Sequence, residues 1–210
     1  MNRKTILIAV AGAAVLSTTA IAQGDGLTQN PVEVRSGDYV LDASHGKITW
    51  SVDHMGFSTY VGQFTDVEAK LDLDTANPAA SSLEAVVQTD SVGTLNDQLD
   101  AHLKTADFFD TAKYPTARFE ATSIRLTDRD SAEVTGNLTM RGITRPIVFA
   151  ADFNQAGMSP VDKKYTLGFD GRALIKRSDF GMQYGLPMLG DEVTLHLEAE
   201  FKLVEPGAGA

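Results

Sequence analysis

The sequence predicts an all-β domain of antiparallel strands, settled as a sandwich or closed into a barrel of about eight strands, with one short helix inserted in a connection. Three observations predict it. From Glu192 to Leu203 every second residue is apolar: Val193, Leu195, Leu197, Ala199, Phe201 and Leu203 share one face, and Glu192, Thr194, His196, Glu198, Glu200 and Lys202 the other. The same period of two recurs in Val67, Ala69, Leu71 and Leu73, and again in Ile48, Trp50 and Val52. Several such runs follow one another at short spacing with local turns between them, which favours an up-and-down meander over a Greek key. A sheet of this kind is wet outside and apolar inside. A barrel of about eight strands either just fills with side chains or holds one small ligand, so function turns on what occupies the interior.

Taken in order, the strands are predicted at Asp38 to Asp42 running into Lys47 to His54, then Tyr60 to Asp74, Ser82 to Val92, Ala117 to Thr127, Glu133 to Met140, Arg145 to Asn154, Tyr165 to Lys176 and Glu192 to Val204. Turn chemistry separates them at Asn77-Pro78, Asp128 to Asp130, Gln155 to Pro160 and Gly185 to Asp191. Leu95, Leu99, His102 and Leu103 break the pattern, because they fall at helical spacing among polar residues. A short amphipathic helix is expected there, followed by Phe108 and Phe109, as a lid over the barrel or a plug that closes its core.

The N-terminus combines basic Arg3 and Lys4, an apolar stretch from Ile6 to Leu16 and the small-residue triplet Ala20-Ile21-Ala22. This describes a secretory signal peptide over residues 1–22, cut after Ala22, with an apolar run too short to span a bilayer. Residues 23–37 read as a flexible lead-in, 38–204 as the barrel domain and 205–210 as a flexible tail. A soluble periplasmic protein without a stable membrane anchor is expected. The chain contains no cysteine, so disulfides, thiol catalysis and cysteine zinc sites are excluded. Its net charge of -10 argues against nucleic acid and anionic lipid surfaces, and loss of Arg3 and Lys4 with the leader makes it more negative still.

Chemistry-bearing motifs are sparse. The four histidines, His45, His54, His102 and His196, include no pair at helical metal-site spacing, and Asp97, Asp100 and His102 do not share a helix face. No nucleophile elbow, phosphate loop or dinucleotide fingerprint occurs. Asp179-Phe180-Gly181 matches a kinase metal motif without the rest of that machinery, and Asn137-Leu138-Thr139 matches a glycosylation sequon inside a predicted strand, so both are read as chance. Arg141, Arg145 and Arg177 cluster near loop ends. They suit an anionic head group at a barrel mouth, or Arg177 pairs with Asp179 or Asp110 and locks a loop.

Together these segments resemble the YceI-like family of polyisoprenoid-binding, lipocalin-like periplasmic proteins. The resemblance is carried by Tyr39-Val40-Leu41-Asp42 with Ser44-His45, by Val52, His54, Val61-Gly62 and Phe64, and by Leu103, Asp107-Phe108-Phe109-Asp110, Tyr114-Pro115-Thr116 and Phe119. It continues through Val134 to Pro146 and ends with Arg177-Ser178-Asp179-Phe180-Gly181-Met182 and Gly190-Asp191. It implies a closed eight-stranded up-and-down barrel whose apolar tunnel holds a long isoprenoid chain, as in a polyprenyl phosphate or a quinone tail. No catalytic residue, metal or cofactor is implied, and none is assigned.

By pattern the lumen is expected to be lined by Trp50, Phe119, Leu138, Met140, Phe149, Phe153, Phe169, Leu195, Leu197 and Phe201. Phe108, Phe109, Arg141, Arg145 and Arg177 are expected at the mouth. The function expected is a non-catalytic carrier of a polyisoprenoid or isoprenoid quinone. The alternatives are an enzyme acting on the lipid head group through His45, His54 or Asp179, a stress-related accessory that presents a quinone, and a solidly packed interaction module. An uncovered strand edge would favour a homodimer.

Overall fold

A computed structural model describes residues 26–205; the predicted leader and the last five residues lie outside the described range. The strands are β1 (Gly37–Leu41), β2 (Lys47–His54), β3 (Ser58–Phe64), β4 (Val67–Leu73), β5 (Ser82–Gln88), β6 (Val92–Gly93), β7 (Thr116–Leu126), β8 (Ser131–Met140), β9 (Ile143–Met158), β10 (Tyr165–Lys176) and β11 (Leu189–Leu203). One α-helix, α1 (Asp97–Leu103), lies between β6 and β7.

Pairing turns these eleven segments into eight staves. The first bends at residues 42–46 into β1 and β2, the second at Thr65 and Asp66 into β3 and β4, and the third at the Thr89–Ser91 turn into β5 and β6. Within the first two staves, β2 pairs β3 while β1 pairs β4. From there β4–β5, β5–β7, β7–β8, β8–β9, β9–β10 and β10–β11 follow in chain order, all antiparallel. β11 then returns to both β1 and β2, which closes an up-and-down barrel. Among the described residues each stave has a hydrogen-bonded neighbour on either side, so the barrel has no wholly unpaired edge strand. Register shifts beside Ala121, Gly168 and Leu189 bend the long strands as closure requires.

The two ends differ. The helix end carries α1, the β2–β3 hairpin and the segment between β10 and β11. Here Trp50, Phe64, Val92 and Leu103 form one packed cluster, and Ala117, Met140, Ile175, Phe180 and Met182 another. The turn end carries the β4–β5, β7–β8 and β9–β10 connections. Asn96 caps α1, its side-chain oxygen accepting from the Leu99 amide at 3.2 Å. Leu95 lies before that cap with φ 63° and is fully exposed, so it does not extend the apolar helix face as its spacing predicts.

The predicted flexible lead-in also differs, because residues 26–36 form an ordered strap across the turn end. Thr28 exchanges both backbone hydrogen bonds with Ala156 at 2.7 and 2.8 Å, and Val34 is buried against Tyr39, Ala156 and Tyr165. The Tyr39 hydroxyl donates to the Arg35 carbonyl at 2.6 Å, and the Arg35 guanidinium lies 4.4 Å from the Tyr165 ring centre. Burial pushes the Tyr39 hydroxyl pKa up. Gly157, at φ +145°, admits this approach: a Cβ there would collide with the Gly26 carbonyl. Polar composition alone gave no sign of these contacts.

Candidate functional site: an apolar lumen open at the turn end

The barrel is not packed solid. Leu138, Ile147, Phe153, Phe169, Leu195 and Leu197 point inward yet remain only half-buried, because they face a cavity of about 350 Å³. That volume falls within the range of small-molecule sites. Phe119, Leu138, Phe149, Phe153, Phe169, Leu195, Leu197 and Phe201 line it, as their alternation predicts. Aromatic pairs stiffen the wall, with ring centres 5.5 Å apart for Phe119 and Phe149 and 5.6 Å apart for Phe153 and Phe169. Further lining comes from the short staves, including Ile48, Val67, Leu71, Leu83 and Ala85. Their period of two was visible in the sequence, but smaller side chains made them less conspicuous than the phenylalanines.

Trp50 and Met140 lie in the packed clusters of the helix end rather than in the cavity wall. The mouth, too, differs from expectation. Phe109 packs edge-on against Phe64 at 5.1 Å, and Phe108 packs against His102 and Tyr184, so these rings form part of a plug. His102 Nε2 stands 2.8 Å from the Asp107 carboxylate on the outside of that plug. The cavity reaches the opposite end, where Pro31 and Val32 of the strap, Thr75, Pro78 and Ser81 of the β4–β5 connection, and Leu126, Arg129 and Asp130 around the β7–β8 turn line it. Arg129 donates to the Asn30 side chain at 3.1 Å and so ties the β7–β8 turn to the strap.

The three arginines expected at the mouth are engaged or remote. Arg177 is only 5% exposed; it donates from Nε to Gly190 O at 2.7 Å, from Nη1 to Tyr184 O at 2.9 Å and Met182 O at 3.2 Å, and from Nη2 to Leu189 O at 3.1 Å. Its bonds go to backbone carbonyls, not to Asp179 or Asp110, and burial lowers its pKa. Beside it, Ser178 donates to Asp191 from its amide at 2.9 Å and its hydroxyl at 2.7 Å. Burial opposes the charge of Asp191, yet the Ser178 bonds and the Arg177 charge leave its pKa lowered overall. Arg141 donates to the carbonyls of Ala106 and Phe108, pinning the plug. Arg145 is exposed and donates to Thr144 O at 3.2 Å. The buried-loop role was not legible because acceptors on the backbone leave no trace in side-chain identity.

Outside the lumen, the bend at residues 42–46 gathers Asp42, His45 and Glu200, whose ligand-type atoms lie within 4.8 Å of one another. Ser44 donates to Asp42 and, with His45, holds its carboxyl well below the usual range. Lys202 lies 3.6 Å from Asp42 and 3.2 Å from Asp162, so the group reads as an ion-pair network that fastens the bend. His45, His54 and Asp179 do not line the cavity.

Comparison with known proteins agrees with this architecture. The chain is 36% identical over 183 residues to the UPF0312 protein of Azotobacter vinelandii, covering 86% of this chain and 94% of that one. Among solved structures, the YCEI protein of Campylobacter jejuni is 32% identical with a TM-score of 0.65, covering 73% of this chain and 90% of its own. A polyisoprenoid binding domain from Saccharophagus degradans shares the fold at 16% identity and a TM-score of 0.58, over 79% of this chain and 98% of that one. Residues 39–201 match the model of the YceI-like domain, and with the closed barrel and these relatives the chain belongs to the YceI-like family.

Proposed function

We propose that this protein is a carrier, without chemistry of its own, that holds a long-chain isoprenoid lipid in its lumen. The observation that carries the reading is the set of inward apolar side chains left half-exposed inside a closed barrel. Filled by hydrocarbon, such a surface gains about 0.8 kcal/mol per buried methylene, enough for a prenyl chain to offset the cost of its own ordering. The name of the Saccharophagus degradans domain supports the lipid class. A polyprenyl phosphate and an isoprenoid quinone both fit this reading, and export to the periplasm follows from the predicted leader.

An enzyme acting on the head group is less well supported. His45, His54 and Asp179 stand away from the cavity, and its lining is almost wholly apolar. The test is a thermal melt of the purified, delipidated protein with polyprenols of increasing length. The melting temperature should rise with length until the lumen is filled, and a melting temperature unmoved by any prenyl lipid would leave a packed interaction module as the better account.

A further inference from the structure

Outside the lumen, the bend between β1 and β2 holds an imidazole between two carboxylates. Asp42 follows the last residue of β1, His45 lies in the bend itself, and Glu200 stands alongside in β11. Backbone bonds fix their spacing: the Asp42 amide donates to the Glu200 carbonyl at 2.8 Å, and the His45 amide to the Asp42 carbonyl at 2.9 Å. His45 Nδ1 lies 3.1 Å from Asp42 Oδ2 and 3.8 Å from Glu200 Oε2.

These separations match a coordination shell. Zinc bonds of about 2.0–2.2 Å at tetrahedral angles set neighbouring ligand atoms about 3.3–3.6 Å apart, and the two distances bracket that range. The side chains of His45 and Glu200 are half-exposed, so small rotations supply the difference. Asp42 is already oriented: Ser44 donates to its Oδ1 from the amide at 3.0 Å and the hydroxyl at 2.6 Å, which leaves Oδ2 turned toward His45. The Ser44 bonds also keep that carboxylate ionised. At 3.8 Å Glu200 is too far from the imidazole for a hydrogen bond, so its carboxylate is available as a ligand.

Charge points the same way. Lys202 is anchored by Asp162 at 3.2 Å and Thr166 at 3.1 Å, whereas its 3.6 Å to Asp42 is longer than a hydrogen bond. Asp42, Glu200 and Asp162 therefore share one ammonium, and the surplus negative charge equals that of a divalent cation. One imidazole nitrogen with two carboxylates suits zinc better than calcium or magnesium, which favour shells built wholly of oxygen.

We propose that Asp42, His45 and Glu200 form a zinc site on the outside of the barrel, through Oδ2, Nδ1 and Oε2 with water in the fourth position, which ties the β1–β2 bend to β11. The three residues do not line the cavity, so the site is independent of what the lumen holds.

Protein without a histidine tag is stripped with EDTA and titrated calorimetrically with Zn2+, with Mg2+ as the control. One Zn2+ should bind per chain and raise the melting temperature, and Mg2+ should do neither. Glu200→Gln should weaken zinc at least about tenfold, and His45→Ala at least as much, since even partners behind the ligands are worth that factor. Lys202→Met should tighten zinc, because the competing ammonium is gone. His102→Ala, which removes the surface histidine beside Asp107, should leave zinc binding unchanged. Absence of one-to-one binding at millimolar Zn2+, or binding that survives both Glu200→Gln and His45→Ala, overturns the proposal and leaves the group an ion-pair network. The titration of the unsubstituted protein and of the half-exposed Glu200→Gln decides the matter even if another variant fails to fold.

Discussion

Leu197 faces Gly171 across the β10–β11 ladder, and a Cβ on residue 171 would stand 2.9 Å from Leu197 Cδ1. Both residues line the cavity, so the leucine fills room that the glycine leaves. The neighbouring His196 points to solvent. Leu197→Glu should therefore place a carboxylate in the apolar lumen while His196→Glu places one in water. With folding verified by circular dichroism, the melting-temperature gain from saturating prenyl lipid, worth about 2.7 kcal/mol at a hundredfold excess over Kd, should vanish in the first variant and persist in the second.

Arg177 tests whether the loop-end arginines hold a head group or a loop. Four backbone carbonyls depend on its guanidinium. Arg177→Met should lower stability by about 3 kcal/mol or more, read from urea denaturation, because buried acceptors lose their donors. The folded variant should bind polyprenyl phosphate and polyprenol in the same ratio as before. Unchanged stability with a selective loss of the phosphate would assign the arginine to the ligand.

Asp191 gives the pH dependence. Its folded pKa is lowered, so the stability it contributes is fully present above the unfolded value of about 4 and is lost as pH falls through the folded value. Asp191→Asn should cost about 1–3 kcal/mol at pH 7, where the Ser178 bonds to a charged acceptor disappear. The variant and the original should converge in stability as pH drops below 4. A gap that stays constant down to pH 2 would mean the carboxylate charge contributes nothing.

Gly157 controls the strap. Its positive φ and its contact with Gly26 leave no room for a methyl group. Gly157→Ala should detach residues 26–36, cost about 1–3 kcal/mol and speed both proteolysis of the strap and exchange of bound lipid. Lipid exchange unaffected by a strap shown to be detached would separate the strap from access to the cavity.

Much of this was legible in the sequence because period-2 burial is a local signal. Tyr165–Lys176 matches its prediction residue for residue, and the alternation of β11 correctly assigns Leu195, Leu197 and Phe201 to the lumen. The failures share one cause: the decisive contacts are to backbone. Arg177 is explained by carbonyls, the strap by the Thr28–Ala156 bridge, and the position of the opening by which end α1 and Phe109 happen to plug. Trp50 alternates with Ile48 and Val52 and so shares their inward face, but alternation fixes the face of a strand and not the depth along the barrel, and Trp50 lies in the packed helix end.

On the carrier reading the lumen holds an isoprenoid lipid. The decisive test is native mass spectrometry of the protein purified without detergent from its own host. The carrier account predicts a one-to-one adduct whose released mass and fragmentation identify a prenyl chain, and whose loss on solvent extraction lowers the melting temperature. A bare protein mass, with no uptake of prenyl lipid on incubation, would contradict it.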